Sequence, residues 1–195
     1  MSYHLYHSEA FVLGGSNVGE SNRYYHIFTK ELGLVVAFAQ GVRELKSKLR
    51  YHLSDFSYAS VSLIRGKDSW RVTSIEHIPL FERALDEGDK RAVVAALAQF
   101  LKQFLHGEEE HQALFEEVRG ALIFLADTEL TPDELQDLEL VVVARSLARL
   151  GYLDATMSAR EFIHGPLSLP LLRVLRKKRP SVLQAINHAI KESHL

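Results

Sequence analysis

Two hydrophobic periods divide the chain. From Tyr3 to about Ile78, apolar and polar positions alternate in short bursts separated by turn residues, which is the pattern of strands. Residues 7–13 are apolar and extended, and Gly14-Gly15-Ser16-Asn17 predicts a turn after them. Residues 23–29 are rich in aromatic and β-branched side chains, and Lys30-Glu31-Leu32-Gly33 offers a tight connection into residues 34–39. Within residues 56–64, Phe56, Tyr58, Ser60 and Ser62 share one face while Ser57, Ala59, Val61 and Leu63 share the other. Gly66-Lys67-Asp68 then turns the chain into an alternating run over 70–78. Five short strands with turn signals between them predict a small barrel or sandwich.

After Pro79 the period becomes helical. Asp89 is placed to cap a helix whose apolar stripe is Val93, Leu97, Phe100, Leu101 and Phe104, with Gly107 at its end. Residues 111–126 repeat the stripe through Leu114, Phe115, Val118, Leu122 and Leu125. Thr131-Pro132-Asp133-Glu134 is a capping box with proline at the first helical position, and its helix should run to Leu150 and stop at Gly151. Gly165 and Pro166 interrupt the chain, and two short helices are expected after them, over 169–178 and 181–193. Phe100, Phe104, Phe115 and Phe124 are read as core between these helices. The fold class is therefore α+β, with a β domain over 1–79 and a helical domain over 80–195.

Composition narrows the chemistry. The 195 residues include no cysteine, which removes disulfides, thiolate metal sites and cysteine nucleophiles, and suits a reducing, cytoplasmic setting. No signal-peptide pattern opens the chain and no apolar run is long enough for a bilayer, so no membrane association is expected. Net charge is −2, against the basic excess usual for a nucleic-acid binder. The first 80 residues nonetheless carry nine Lys and Arg against seven Asp and Glu, and the remainder fourteen against eighteen.

Several motifs resolve into ordinary structure. Residues 14–21 approach a phosphate loop, but Glu20 stands where its lysine would be and a strand follows, so the segment is read as a β-turn between strands. His106, Glu110 and His111 are interrupted by Gly107, and His4, His7, His26, His52 and His77 are scattered, so neither a metal site nor a cofactor is expected. No Gly-x-Ser-x-Gly elbow occurs, and Glu108, Glu109 and Glu110 read as a solvated run. The chain is not expected to be an enzyme.

One resemblance runs through the first eighty residues. It begins at Ser8-Glu9-Ala10-Phe11-Val12-Leu13, continues through Gly19-Glu20-Ser21-Asn22-Arg23 and Phe28-Thr29-Lys30-Glu31-Leu32-Gly33, and reaches Ala39-Gln40-Gly41-Val42-Arg43 with Lys46-Ser47. Leu147-Ala148-Arg149-Leu150-Gly151-Tyr152 adds a later match. In these segments the chain resembles the RecO family of recombination mediators. The resemblance implies an amino-terminal five-stranded OB-fold barrel followed by an all-helical domain. It also implies binding to single-stranded DNA and to single-stranded-DNA-binding protein, work with RecR, help in loading RecA, and strand annealing. Three departures stand out: the four-cysteine zinc segment of many members is missing from 154–166, the chain is shorter by about that much, and Glu44 replaces a second arginine.

An OB barrel takes single strands in a basic groove with aromatic platforms. On that premise Arg43, Lys46, Lys48 and Arg50, on a predicted loop, are the leading DNA-binding candidates, and Arg23, Tyr24, Arg65, Lys67 and Arg71 on neighbouring strands extend the groove. Arg173, Arg176, Lys177, Lys178 and Arg179 form a second cluster near a predicted helix end, with Leu171, Leu172, Val174 and Leu175 on the buried side. It reads either as charge at a helix C-terminus or as a docking patch for an acidic tail. An alternative to DNA binding is a protein-interaction adaptor on the same fold, favoured by Glu44 and the acidic second half.

Overall fold

The computed structural model describes residues 4–67, 69–153 and 160–193, so Asp68 of the expected 66–68 turn and the start of the 154–166 segment lie outside the described residues. Its first unit comprises Met1–Leu80 with Leu101–Gln112, and its second Phe81–Phe100 with Ala113–Leu195.

Five strands, β1 (Leu5–Val18), β2 (Asn22–Thr29), β3 (Gly33–Ala39), β4 (Tyr58–Arg65) and β5 (Trp70–His77), close into a barrel in the order β1-β2-β3-β5-β4. β1, 14 residues long, is shared: Leu5 to Phe11 pair with β4 and Ala10 to Val18 pair with β2. β3 and β5 complete the circle through a parallel seam of two residue pairs, Ala37 with Trp70 and Phe38 with Arg71. This is the OB-fold arrangement, a small barrel whose first strand belongs to both halves.

Alternation explains the core. Ala10, Val12, Tyr25, Ile27, Val35, Ala37, Ala39, Ala59, Val61, Leu63, Trp70 and Val72 point inward and are buried, the alanines leaving room in a narrow interior. Outside, Phe11, Phe28 and Tyr58 form a second buried cluster, with Phe11 and Tyr58 ring centroids 4.8 Å apart.

The expected turn at residues 14–17 is strand instead. β1 carries a register shift between Val12 and Gly14 and continues to Val18, and the reversal falls at Gly19–Ser21. A bulge bends the strand, so glycines that signalled a turn supply a corner within β1. A Cβ on Gly15 would lie 2.7 Å from the Tyr24 carbonyl oxygen and 2.7 Å from the Tyr25 ring, so only glycine fits there. β4 likewise starts at Tyr58 rather than Phe56, because Phe56 takes φ 67°, with its N–H bonded to the Val12 carbonyl at 2.8 Å.

In the second unit, α1 (Glu82–Asp86) precedes the main part of α2 (Gly88–Phe104), with Asp89 inside its first turn rather than capping it. α3 (Gln112–Asp127) and α4 (Pro132–Arg149) follow the sequence pattern. Thr131 and Glu134 form the expected capping box, and the hydrogen bonds from Thr131 hold the Glu134 carboxyl below its ordinary value. The chain leaves α4 through Leu150 and Gly151.

After the short α5 (Arg160–Ile163), one helix replaces the two expected: α6 runs from Leu169 to Glu192 through Pro180. Proline removes one backbone donor and crowds the preceding turn. Here Leu172, Leu175, Val182, Ile186 and Ala189 form one buried stripe on both sides of it, and that continuous face holds the two halves in line.

Two outcomes follow for stability. Gly15→Ala should lower barrel stability by about 1–3 kcal/mol in chemical denaturation, as overpacking does. His26 is held below its ordinary value of 6.5 by burial first and by Lys102 second. The unfolded chain therefore takes up this proton before the folded one, so stability falls as pH drops below about 6.5, and His26→Gln should reduce that dependence in denaturation curves at several pH values.

Candidate nucleic-acid interface

Successive residues of a strand face opposite sides of a barrel. Arg23 and Tyr24, adjacent in β2, therefore belong to two different surfaces, and the nine candidate residues do not share one groove.

The first surface is the mouth of the barrel. Arg23, Arg43 and Arg50 converge with Tyr25, Val42 and Leu53 around a cavity of about 320 Å³. Local chemistry brings the basic segment there: the Arg43 N–H bonds the Ser21 carbonyl at 2.9 Å, and the Gly41 N–H bonds the Asn22 side chain at 2.8 Å. Arg23 donates to the Gly15 carbonyl at 2.9 Å, lies over the Tyr25 ring and meets Asp55 at 3.4 Å. Burial raises the Tyr25 hydroxyl above its ordinary value, with Arg23 pulling the other way. Lys46 and Lys48 are exposed along the same segment, whose end, Lys48–Tyr51, is a short 3₁₀ turn.

The second surface is the outer wall. Register places Tyr24, Phe38 and Arg71 in one row across β2, β3 and β5, which makes β3 the strand between the predicted contributors. The Tyr24 and Phe38 rings lie 5.2 Å apart, both half-buried, with Arg71 exposed beside them. Phe38 is absent from the sequence-based candidates. Its signal was the outward series Leu34, Val36, Phe38, apolar on a face that solvent should have made polar.

Next to this row lies a groove of about 480 Å³, lined by Tyr24, Leu34, Val36, Arg65, Lys67 and Trp70 together with Gly107 and Glu108. The triple glutamate is more than a solvated run here. Glu108 accepts from Arg65 Nη1 at 2.7 Å and from the Trp70 indole N–H at 2.8 Å. Arg65 in turn lies 5.5 Å over the Trp70 ring.

The helical cluster is divided too. Asp137 of α4 is fully buried and accepts from Arg176 Nε at 3.1 Å and Arg179 Nε at 2.9 Å, both just before Pro180. Arg173 is exposed, 3.8 Å from Glu134, Lys177 is exposed, and Lys178 reaches over the Phe162 ring. Because α6 continues to Glu192, the cluster sits in mid-helix and the C-terminal charge reading does not apply. Val174, expected inside, is 43% exposed, and the buried positions here are Leu172 and Leu175.

Also in this unit, a cavity of about 710 Å³ is lined in part by Glu116, Glu117, Asp127, Arg145 and Arg149, charges of both signs. Among the described residues, no group of three or more His, Asp or Glu is arranged to hold a metal, and no helix is long and apolar enough to cross a membrane.

A closed five-stranded barrel in this order, with its first strand shared between both halves, defines a class, the OB-fold modules. Residues 1–81 match the family described as "Recombination protein O N terminal". The chain is 31% identical over 125 residues to the DNA repair protein RecO of Dehalococcoides mccartyi, covering 64% of this chain and 49% of that one. It is 31% identical over 111 residues to RecO of Desulfitobacterium hafniense, covering 57% and 41%. With RecO of Alkaliphilus metalliredigens it shares 26% over 148 residues, covering 76% and 58%. The chain is thus similar to RecO proteins, most clearly in residues 1–81, and it spans about half the length of the curated relatives it matches.

The α6 geometry has a direct check. Replacing Arg176 and Arg179 together with alanine leaves the Asp137 carboxylate buried without its partners, and should cost about 3–5 kcal/mol in denaturation. Lys177→Glu, on the exposed side, should stay within about 0.5 kcal/mol of the parent chain.

Proposed function

We propose that this chain acts in DNA repair and recombination as a mediator that binds single-stranded DNA through its barrel and performs no chemical step itself. The observation that carries the reading is the outward row Tyr24, Phe38 and Arg71 lying beside the groove of Arg65, Lys67 and Trp70. Aromatic faces stack bases at about 1–3 kcal/mol each without regard to sequence, and the cations beside them meet phosphates. The mouth arginines, with Lys46 and Lys48, offer a second set of phosphate partners on the other surface. On this reading 1–79 is the DNA-binding domain and 80–195 the partner-binding domain.

By analogy with the relatives' role in DNA repair, the partners would be single-stranded-DNA-binding protein and RecR, with RecA loading and strand annealing as the outcomes. An acidic tail would meet this α6 cluster on the exposed side that carries Arg173 and Lys177, away from the buried Asp137 that holds Arg176 and Arg179. The adaptor reading draws on a specific feature: Asp55 occupies Arg23 and Glu108 occupies Arg65, which lowers the free positive charge of the barrel.

Anisotropy of a labelled single strand, titrated at several salt concentrations, tests the proposal. Three to five phosphate contacts predict a log–log slope of about −2 to −3.5, at roughly −0.7 per contact. Alanine at Arg43, Lys46 and Lys48 should weaken binding and flatten the slope. Alanine at Tyr24 and Phe38 should weaken binding and leave the slope unchanged. Absence of binding at low salt would reject the DNA reading and leave the adaptor.

A further inference from the structure

We propose that Glu108 is a built-in occupant of the groove: its carboxylate stands where a nucleic-acid phosphate would meet Arg65, and it sets how many phosphates the barrel engages. The inference rests on the reading of the barrel as a single-strand site and specifies how that site is tuned.

The geometry is particular. One carboxylate spans two donors, accepting from the Arg65 guanidinium with one oxygen at 2.7 Å and from the Trp70 indole with the other at 2.8 Å. Arg65 and Trp70 both line the same groove, together with Tyr24 and Lys67. A charge-assisted pair of this kind is the same interaction that an arginine makes with a phosphate oxygen, so the two anions compete for one cation. The pair is partly exposed, with 61% of the Arg65 side chain and 37% of the Glu108 side chain accessible, so a ligand can reach it without unfolding the barrel.

The strap that carries Glu108 is held in place from behind. Gly33, buried at the β2–β3 turn with φ 69°, lies so close to residue 109 that an added Cβ would fall 2.0 Å from the Glu109 carbonyl oxygen. Thr29 builds that turn, donating its hydroxyl to the Gly33 carbonyl at 2.9 Å and accepting the Leu32 N–H at 3.0 Å. The acidic strap therefore has a fixed seat against the barrel while its carboxylate faces the groove. Exchange of Glu108 for phosphate leaves that seat untouched and replaces one anion on Arg65 by another. Glu108 offsets Arg65 at rest, and a strand gains Arg65 only by displacing the glutamate.

The chain contains one tryptophan, so intrinsic fluorescence reports on this contact directly. The test compares the parent chain, Glu108→Gln, Arg65→Ala and the double variant, each titrated with labelled oligo(dT) across a salt series while Trp70 emission is followed. Glutamine keeps an acceptor for the indole and removes the charge, so folding should be preserved, and thermal melts check that it is.

The expected result is that Glu108→Gln binds about five- to tenfold tighter at low salt, with a slope steeper by about 0.7, equal to one further phosphate contact. The double variant should bind no better than Arg65→Ala, and strand binding should shift Trp70 emission in the parent. Equal affinity and slope for parent and Glu108→Gln would overturn the competition and leave strand binding standing. No binding by any of the four at low salt would overturn both the competition and the reading of the barrel on which it rests.

Discussion

The barrel depends on β1 bending while it stays hydrogen-bonded on both sides. One strand must pair with β4 through its first half and with β2 through its second, and a straight strand cannot turn that corner. The bend falls at Gly14 and Gly15, where the register shifts and the backbone approaches Tyr24 and Tyr25 too closely for a side chain. Everything placed on β2 inherits this constraint. The approach that excludes a side chain at Gly15 also lets Arg23 reach the Gly15 carbonyl and lie over Tyr25 at the barrel mouth.

The net charge of −2 says less about the molecule's surface than where its carboxylates sit. Asp55 meets Arg23, Glu108 meets Arg65, and Asp137 meets Arg176 and Arg179. In each case an acidic side chain engages a cation that composition alone would count as available. On the barrel, Arg43, Lys46, Lys48 and Arg71 have exposed side chains. A near-neutral chain can thus present a locally basic surface, because association responds to the local field more than to the total.

Much of this was legible in the sequence. Alternation located five strands, and the capping box at Thr131 and Glu134 fixed the start of α4 because its chemistry is local. Three features were not legible, for physical reasons. Gly14 and Gly15 signal a turn and a bulge equally well, and only the pairing on both edges of β1 decides between them. Pro180 marks a helix end in isolation, yet the buried stripe from Leu172 to Ala189 carries α6 through it. Glu108 looks solvated because its partners, Arg65 and Trp70, are about forty residues away in sequence. Among site residues the basic segment was found by charge density. Phe38 escaped because an aromatic in a strand is ordinarily core.

The two-pair seam between β3 and β5 has a consequence for the order in which the barrel assembles. The other pairings are antiparallel and long, and β1–β2, β2–β3 and β4–β5 join strands that are neighbours in sequence, so they form with short loops. The seam instead joins Ala37 and Phe38 to Trp70 and Arg71, closing a loop of more than thirty residues for two residue pairs. Loop-closure entropy makes such a contact late to form and early to open. The barrel therefore behaves as two hairpin systems joined along the seven pairs of β1 and β4 and clasped shut at the short β3–β5 seam, and Phe38 and Arg71, side by side on the outer wall, belong to that clasp. A strand lying along this row would bridge the clasp and oppose its opening, so that ligand affinity and the local breathing of the barrel become two readings of one equilibrium.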